Sequence, residues 1–424
     1  MKSETKRKNL IYYFLIITAF TTYIVLTGAK NLYVAEKTTM YDLGIFGNLS
    51  ALASTMEYYF YSYAVMQVLI IFFIRKVNVK WYLTITLGIS AILSSLMYFT
   101  STITSHYVIY TINGAMQAGV WGCTLKILSK YLPDKQLSVG STLMNIGPAV
   151  AGLISYGTAT LFGENWSLPF LILGIVLLIS VICFNLAITL ASKLPKEKLV
   201  VKLDAEKTSG KTVIPLSTKN NVVVFFVVSI LLGGLITSMY FMLNNNLDVY
   251  LKQVGGFSND TSKLLTILAP VCTIIGPIIT AKLCDKFDFL KTATILFSLS
   301  LIFAVAVFLL YGNGAYLGLS LIVFFLIIAN GARSISLSIA AVKVRDKIDT
   351  GVYATMVNSA ASLTCGLAPK LGSLILDRQS FTTMQNWGTV FFIILLINSL
   401  VVGILIAVLL LLKRKNRKLK SANA

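Results

Sequence analysis

Three cationic side chains lie inside long apolar stretches of this sequence. Arg333 is the single charge in the run from Gly314 to Val342, and Lys30 and Lys370 lie in similar runs. A charge at bilayer depth is unfavourable by about 3 to more than 10 kcal/mol. Arginine keeps its proton in proteins, so a buried guanidinium requires an anionic partner. These residues predict a binding site for a carboxylate or a phosphate.

The acidic residues provide few partners for these cations. Glu57 is the only acid that the sequence places clearly inside a span, and Asp248 lies near the end of another. Two interpretations of Glu57 stay open. It is a structural ion-pair partner of Lys30 or Arg333, or it is a proton carrier, a role that buried acids have in membrane transporters. In both cases cations outnumber acids, and a substrate anion is the expected further partner.

Helical spacing indicates which polar residues share a face. Steps of four residues group Asn113 with Gln117, Tyr240 with Asn244, and Glu57 with Tyr61, which is the ring expected to line a cavity. Residues three and four positions apart are neighbours on a helix, and lipid offers polar side chains no partner, so such faces turn inward. Each polar face could alternatively serve only to join two helices, but five of them favour a shared wet cavity. The predicted substrate-binding residues are Arg333, Lys30, Lys370, Asn330, Asn113, Gln117, Tyr61, Tyr240 and Asn244.

Membrane helices must position these residues. The chain has 424 residues, of which 56% are hydrophobic and 12% charged, whereas roughly a quarter of the residues in a soluble domain are charged. Apolar runs of about 20 residues, enough to span a bilayer as a helix, recur along it. The runs are continuous, which excludes alternating strands. We predict an all-α membrane protein with twelve transmembrane helices, near residues 9–32, 44–74, 79–101, 105–130, 138–163, 166–192, 222–250, 262–284, 289–312, 315–342, 350–376 and 387–412.

The basic residues behind the net charge of +20 are distributed as a membrane topology requires. On the side of the predicted N-terminus lie 28 of the 36 Lys and Arg residues, and four lie within spans, among them Lys126, which can extend to the interface. The opposite side holds four: Lys37, Lys252, Lys263 and Arg378. The positive-inside rule therefore places both termini in the cytoplasm, and no nucleic-acid partner is expected. The five cysteines show neither metal-type spacing nor a disulfide framework, and no cofactor is expected.

One long polar segment divides the predicted spans into two sets of six. The expected domains are an N-terminal six-helix bundle (1–192), a cytoplasmic linker (193–221), a C-terminal six-helix bundle (222–412) and a basic cytoplasmic tail (413–424). A short internal repeat supports this division. Asn113-Gly114-Ala115 in the fourth span recurs as Asn330-Gly331-Ala332 in the tenth, and each is followed by a lysine at the same distance.

Two stretches carry a resemblance to a known family. Ile112 to Ile154 resembles spans four and five of the major facilitator superfamily, and Tyr250 to Lys263 resembles its region between spans seven and eight. More narrowly, the chain is similar to the organophosphate/inorganic phosphate antiporters, which are the glycerol-phosphate and hexose-phosphate transporters. The stretch from Gly28 to Leu32 resembles the first-span motif of that family. The resemblance implies two parallel six-helix repeats with a substrate site at their interface. It also implies anion exchange.

The sequence departs from that family at the phosphate-binding residues. Where the family has two arginines and a histidine, this chain has Ala29, Tyr240 and Met144, although Lys30 is retained. Its single histidine, His106, lies at an outer loop and is expected to be a surface residue. The family's phosphate clamp is therefore missing, although the resemblance implies an anion exchanger.

Together these observations predict a secondary active transporter that moves a small organic anion, a carboxylate or a phosphorylated compound, by alternating access. Anion exchange and proton-coupled transport both stay open. The sequence contains no GxxxxGK[ST] loop of an ATP-driven pump and no nucleophile–base pair of an enzyme. The alternatives are a transporter of neutral sugars or lipophilic compounds, and a transporter-like ligand sensor. We expect a monomer in the bacterial inner (cell) membrane, with the anionic substrate and the lipid bilayer as its partners.

Overall fold

The computed structural model describes residues 2–73, 77–194, 219–287, 289–335 and 350–422. All regular secondary structure in these ranges is helical. The helices of the first part of the chain are α1 (Lys2–Asp42), α2 (Leu49–Phe73), α3 (Val79–Leu96), α4 (Ile103–Gln117), α5 (Val120–Tyr131), α6 (Asp134–Phe162) and α7 (Leu168–Ser192). Those of the second part are α8 (Lys219–Asn244), α9 (Leu247–Gln253), α10 (Asn259–Thr266), α11 (Leu268–Lys286), α12 (Phe289–Leu310), α13 (Ala315–Ser334), α14 (Thr350–Leu376) and α15 (Thr383–Ala422).

Nine helical segments within the described ranges are long and apolar enough to cross a membrane. The predicted second, fourth and fifth spans are not among them. In α2, tyrosines and serines around Glu57 reduce the hydropathy, and the fourth span is divided between α4 and α5. In the fifth, the apolar segment is only Ile146–Phe162, which is shorter than the other nine. The described part of the chain is thus all-helical, with segments apolar enough to span a membrane, while the count of twelve spans and the cytoplasmic termini stay predictions.

The described residues form two compact units. Those within Met1–Ser209 and Ser258–Val271 form the first, and those within Gly210–Phe257 and Cys272–Ala424 form the second. Helix α10 and the first residues of α11 belong to the first unit, whereas the chain on either side of them belongs to the second. The bundle and linker bounds stay predictions.

In the first unit, α1 packs against α6 and α7, α2 against α4, and α3 against α7. Lipid is as apolar as leucine, so helices in a bilayer associate through close packing and hydrogen bonds. The contact of α2 with α4 shows this closeness. A Cβ added at Gly114 of α4 would overlap the backbone carbonyl oxygen of Tyr59 in α2. A glycine at this position therefore sets the distance at which Tyr59 meets α4.

In the second unit, α8 packs mainly against α14, α12 packs against α13 and α15, and α13 also contacts α8. Gly276 of α11 lies directly against the backbone of Ile327 in α13, with the Asn330 side chain beside it. Here too a small residue permits the close approach of two helices. The contacts of α13 with α8 and α11 position the part of α13 that carries Asn330 and Arg333.

Candidate functional site

In the first unit, Lys30 of α1 lies against two aromatic rings of α2. Its Nζ is 5.5 Å from the ring centroid of Tyr59 and 5.5 Å from that of Phe60. A lysine ammonium over an aromatic face gains about 0.5 to 2 kcal/mol, more when it is desolvated. The rings thus stabilise the positive charge at membrane depth without neutralising it.

Tyr59 also begins a chain of hydrogen bonds to α4. Its hydroxyl donates to Oε1 of Gln117 over 2.7 Å, and Nε2 of Gln117 donates to Oδ1 of Asn113 over 2.9 Å. All three side chains are buried. The structure thus brings two predicted residues, Asn113 and Gln117, together with Lys30 through a third residue, Tyr59. Uncharged side chains of this kind can bind the hydroxyl groups of a ligand.

Glu57 forms a second polar contact within α2. The hydroxyl of Tyr61 donates a hydrogen bond of 2.8 Å to Oε1 of Glu57, one helical turn earlier. Glu57 itself is buried. Sequence spacing favoured Tyr61 as the cavity-lining ring, whereas the ring beside Lys30 is that of Tyr59, which was not in the predicted set.

In the second unit, Arg333 of α13 lies against two aromatic rings of α8. Its Cζ is 5.9 Å from the ring centroid of Tyr240 and 5.4 Å from that of Phe241. The Tyr240 hydroxyl donates to Oδ1 of Asn244 over 3.1 Å and also interacts with the side chain of Asn330. Three further predicted residues, Tyr240, Asn244 and Asn330, are therefore neighbours around or near Arg333.

The guanidinium of Arg333 has an unsatisfied donor. Its Nε is buried and has no hydrogen-bond acceptor among the described residues. A buried donor without a partner loses about 1–3 kcal/mol of stability, more when it is charged. An anion bound here would provide the acceptor. Lys370, the remaining predicted cation, is partly buried in α14 next to Pro369.

His106 is not the surface residue that the sequence suggested. Its side chain is fully buried, 0% exposed, between Phe46 and Trp166. Its Nδ1 lies 3.1 Å from the hydroxyl of Tyr33, which accepts a hydrogen bond from Thr55. The prediction was wrong because α1 extends to Asp42 instead of ending near residue 32, so Tyr33 is a helix residue that packs on α4.

Glu36 is a buried acid that the sequence analysis missed. Its Oε2 forms an ion pair of 3.1 Å with Nζ of Lys263 in α10, and both side chains are 0% exposed. The expectation that Glu57 is the only acid within a span was therefore wrong, and Lys37 and Lys263 are buried instead of lying in outer loops. A signal was present, because the segment from Leu32 to Asp42 contains neither Gly nor Pro to end α1.

The chemistry available in these clusters is binding chemistry. In the described part of the chain, no group of three or more His, Cys, Asp or Glu side chains is arranged to hold a metal ion. The clusters instead offer two cations on aromatic faces, a carboxylate with a phenol, and a chain of amides. Such groups can bind, orient and release a small polar or charged solute.

Comparison with solved structures identifies proteins that share the fold. Nucleoside transporter NupG superposes with a TM-score of 0.67 at 15% identity, over 94% of this chain and 98% of that one. A D-xylose-proton symporter gives 0.69 at 12% identity, over 93% and 97%. A bacterial homolog of the human lysosomal transporter Spinster, in an inward-facing and occupied conformation, gives 0.67 at 14%, over 96% and 97%. These likenesses show a shared fold.

Sequence comparison identifies the family. A search of curated proteins finds no match to the chain. The sequence profile described as "Major Facilitator Superfamily" matches residues 11–369, which is most of the chain. Together with the helical fold and the apolar spans, this match shows that the chain is a membrane transporter of the Major Facilitator Superfamily.

Proposed function

We propose that this protein is a secondary active transporter that moves a small organic anion across the membrane by alternating access. The observation that carries the proposal is Arg333. Its guanidinium is flanked by the rings of Tyr240 and Phe241, and its buried Nε has no acceptor among the described residues. A bound anion would supply this donor with an acceptor, which supports an anionic ligand.

The geometry of an arginine favours particular ligands. A guanidinium presents its N–H groups in a planar fork that matches the two oxygens of a carboxylate or phosphate. The aromatic rings keep water away from one face of Arg333 and thereby strengthen its interaction with an anion. Lys30, which also lies on aromatic faces, is proposed as an anion-binding residue of the first unit.

The mode of coupling is part of the proposal. The resemblance to organophosphate/inorganic phosphate antiporters supports anion exchange, with Lys30 at the retained lysine position of the first span. The absence of that family's two arginines and of its histidine supports an organic anion over free phosphate. Proton-coupled transport would use Glu57, whose carboxylate accepts a hydrogen bond from Tyr61. A comparison of uptake into proteoliposomes with a pH gradient and with internal anion distinguishes the two modes.

Thermal unfolding of the detergent-purified protein tests the proposal. The panel contains phosphate, sugar phosphates, mono- and dicarboxylates, amino acids, nucleosides and neutral sugars. A ligand at a hundred times its dissociation constant adds about 2.7 kcal/mol to the stability of the folded state. We expect stabilisation by one class of anions, and we expect Arg333→Gln to abolish it.

The matched control is Arg378→Gln, which removes the same charge at an exposed position. This variant should retain the stabilisation by the anion. The proposal is wrong if Arg333→Gln binds the stabilising anion as tightly as the unmodified protein does.

A second candidate is the transport of neutral hydroxyl-rich compounds. The hydrogen-bonded chain of Tyr59, Gln117 and Asn113 supports it, because amides and phenols bind sugar hydroxyls well. A nucleoside transporter and a xylose symporter share the fold. Stabilisation by neutral compounds alone, unchanged in Arg333→Gln and lost in Gln117→Leu, would favour this candidate over the first.

A further inference from the structure

A row of four polar side chains joins α3 to α7 in the first unit. Nζ of Lys80 in α3 donates to Oγ1 of Thr189 in α7 over 2.8 Å. One helical turn further, Oγ1 of Thr84 donates to Oδ1 of Asn185 over 2.7 Å. Lys80 is the second residue of α3, and Thr189 lies in the last turn of α7. Both helices are long and apolar enough to cross a membrane, so this end of the pair is expected at the depth of the lipid headgroups.

The ammonium of Lys80 lies half-buried in this row beside an uncharged partner. In the described part of the chain its hydrogen-bond acceptor is the hydroxyl of Thr189, and neither α3 nor α7 contains an acidic residue. That hydroxyl donates its own proton to the carbonyl of Asn185 over 2.8 Å, so it meets Lys80 with an oxygen lone pair. A lysine has three N–H donors, and two of them are therefore available to a ligand.

The charge of this region is that of its lysines. Helix α3 begins and α7 ends at the same level, so the dipoles of the two helix ends oppose each other. Lys193, which is exposed, lies one turn beyond Thr189 in the sequence of α7 and adds a second positive charge. The end of the α3–α7 pair is consequently basic and complementary to an anion.

The surface next to the row is apolar. Trp81 and Ile85 of α3 and Ile182 and Leu186 of α7 are all exposed. A tryptophan at the end of a membrane helix is typical of the lipid–water interface, and exposed aliphatic side chains at membrane depth contact acyl chains. A cation beside such a surface fits a ligand with an anionic head and an apolar tail better than it fits a soluble anion.

We propose that Lys80 and Thr189 form a binding site for the phosphodiester headgroup of an anionic phospholipid such as phosphatidylglycerol. The available donors of Lys80 bind the phosphate oxygens through charge-assisted hydrogen bonds, while the acyl chains cover Ile85 and Leu186. Basic groups between membrane helices at headgroup depth bind such lipids. The hydrogen bond of Thr84 to Asn185 holds the two helices together below the site. The site is separate from the one proposed for the transported anion and independent of the class of that substrate.

Native mass spectrometry tests the site. The full-length protein in detergent is titrated with phosphatidylglycerol or with phosphatidylcholine of the same acyl chains, and the affinity of the first bound lipid is measured. We expect phosphatidylglycerol to bind at least about fivefold more tightly, since one lysine near a membrane surface contributes about that factor toward an anionic lipid. Lys80→Gln should remove the preference, whereas Lys80→Arg, which keeps the charge, should retain it.

Two further variants separate a built site from general surface charge. Thr189→Val keeps the shape of the side chain, removes the acceptor that positions Lys80, and should weaken the preference. Lys130→Gln removes an exposed lysine at the end of α5 and should leave the preference unchanged. The thermal midpoint without added lipid verifies that each variant is folded.

Three results would overturn the proposal. The first is equal affinity of the unmodified protein for the two lipids. The second is an equal loss of preference in Lys80→Gln and Lys130→Gln, or a loss in neither, because the lipid would then respond only to general charge or to another site. The third is displacement of phosphatidylglycerol by excess inorganic phosphate, which would make the ligand a soluble anion.

Discussion

Tyr59 donates a hydrogen bond of 2.7 Å to Gln117, and the face of the same tyrosine ring lies 5.5 Å from Nζ of Lys30. One side chain of α2 thus contacts α4 through its hydroxyl and α1 through its ring. A change at Tyr59 will therefore affect both the amide chain and the environment of the lysine.

Removal of the Tyr59 hydroxyl tests this double contact. In Tyr59→Phe the ring stays beside Lys30, while Oε1 of Gln117 loses its donor in a buried site. We expect the free energy of unfolding to fall by about 1–2 kcal/mol, measured from the unfolding transition in detergent. Tyr58→Phe, at a neighbouring residue that is 43% exposed, is the control and should change stability little. Equal stability of the two variants would contradict the assigned hydrogen bond.

The glycine contact between α2 and α4 predicts a strong effect of one methyl group. Gly114→Ala places a Cβ onto the backbone carbonyl of Tyr59, so one helix must shift. We expect a loss of about 1–3 kcal/mol or more, seen as a lower thermal midpoint or a failure to express as folded protein. Gly122→Ala has open space around the new Cβ and should behave like the parent. If both alanine variants are equally stable, the close approach of α2 and α4 is incorrect.

The aromatic environment of Arg333 can be measured as a coupling energy. Tyr240→Leu removes the ring next to the guanidinium, whereas Tyr240→Phe keeps the ring and removes only the hydroxyl bound to Asn244. In a double-mutant cycle with Arg333→Gln, we expect a coupling of about 0.5–2 kcal/mol for the Leu variant and a smaller one for the Phe variant. Similar couplings for both would assign the interaction to the hydroxyl instead of the ring.

Because His106 is buried, its replacement should destabilise the fold more than the replacement of a surface histidine would. His106→Ala leaves a cavity beside Phe46 and Trp166 and removes the partner of the Tyr33 hydroxyl. We expect a loss of about 2–4 kcal/mol in the unfolding free energy. Thr104→Ala, an exposed site on the same helix, serves as the control. A change within about 0.5 kcal/mol for His106→Ala would be the result of a surface residue.

Contacts within one helix could be predicted from the sequence. Spacing of four residues grouped Asn113 with Gln117, Glu57 with Tyr61, and Tyr240 with Asn244, and each of these pairs is hydrogen-bonded. The reason is that α-helical geometry alone places such residues side by side. Their part in substrate binding stays a prediction.

Contacts between helices could not be predicted in this way. The pairs Lys30 with Tyr59, Tyr33 with His106, and Glu36 with Lys263 depend on which helices pack together and at what distance. No periodicity in the sequence carries that information. Small residues such as Gly114 indicate that a close approach exists, without identifying the partner helix.

Helix breaks were missed for a related reason. The predicted seventh span is divided between α8 and α9 at Asn245 and Asn246, and Nδ2 of Asn246 donates to the carbonyl of Met242 over 2.8 Å. An asparagine side chain that binds the backbone competes with regular helix formation. Hydropathy averaged over a long apolar run does not register such a local hydrogen bond.

The ion pair of α10 has a consequence for biosynthesis. Glu36 and Lys263 are 227 residues apart in the chain. At about 5–20 residues per second, a ribosome needs roughly 10–45 s to proceed from one to the other. During that interval the nascent first unit contains a carboxylate whose ion-pair partner has not yet been synthesised. A chain truncated after α7 would keep Glu36 in this incomplete state, so the first unit reaches its final packing only once α10 has been translated and inserted.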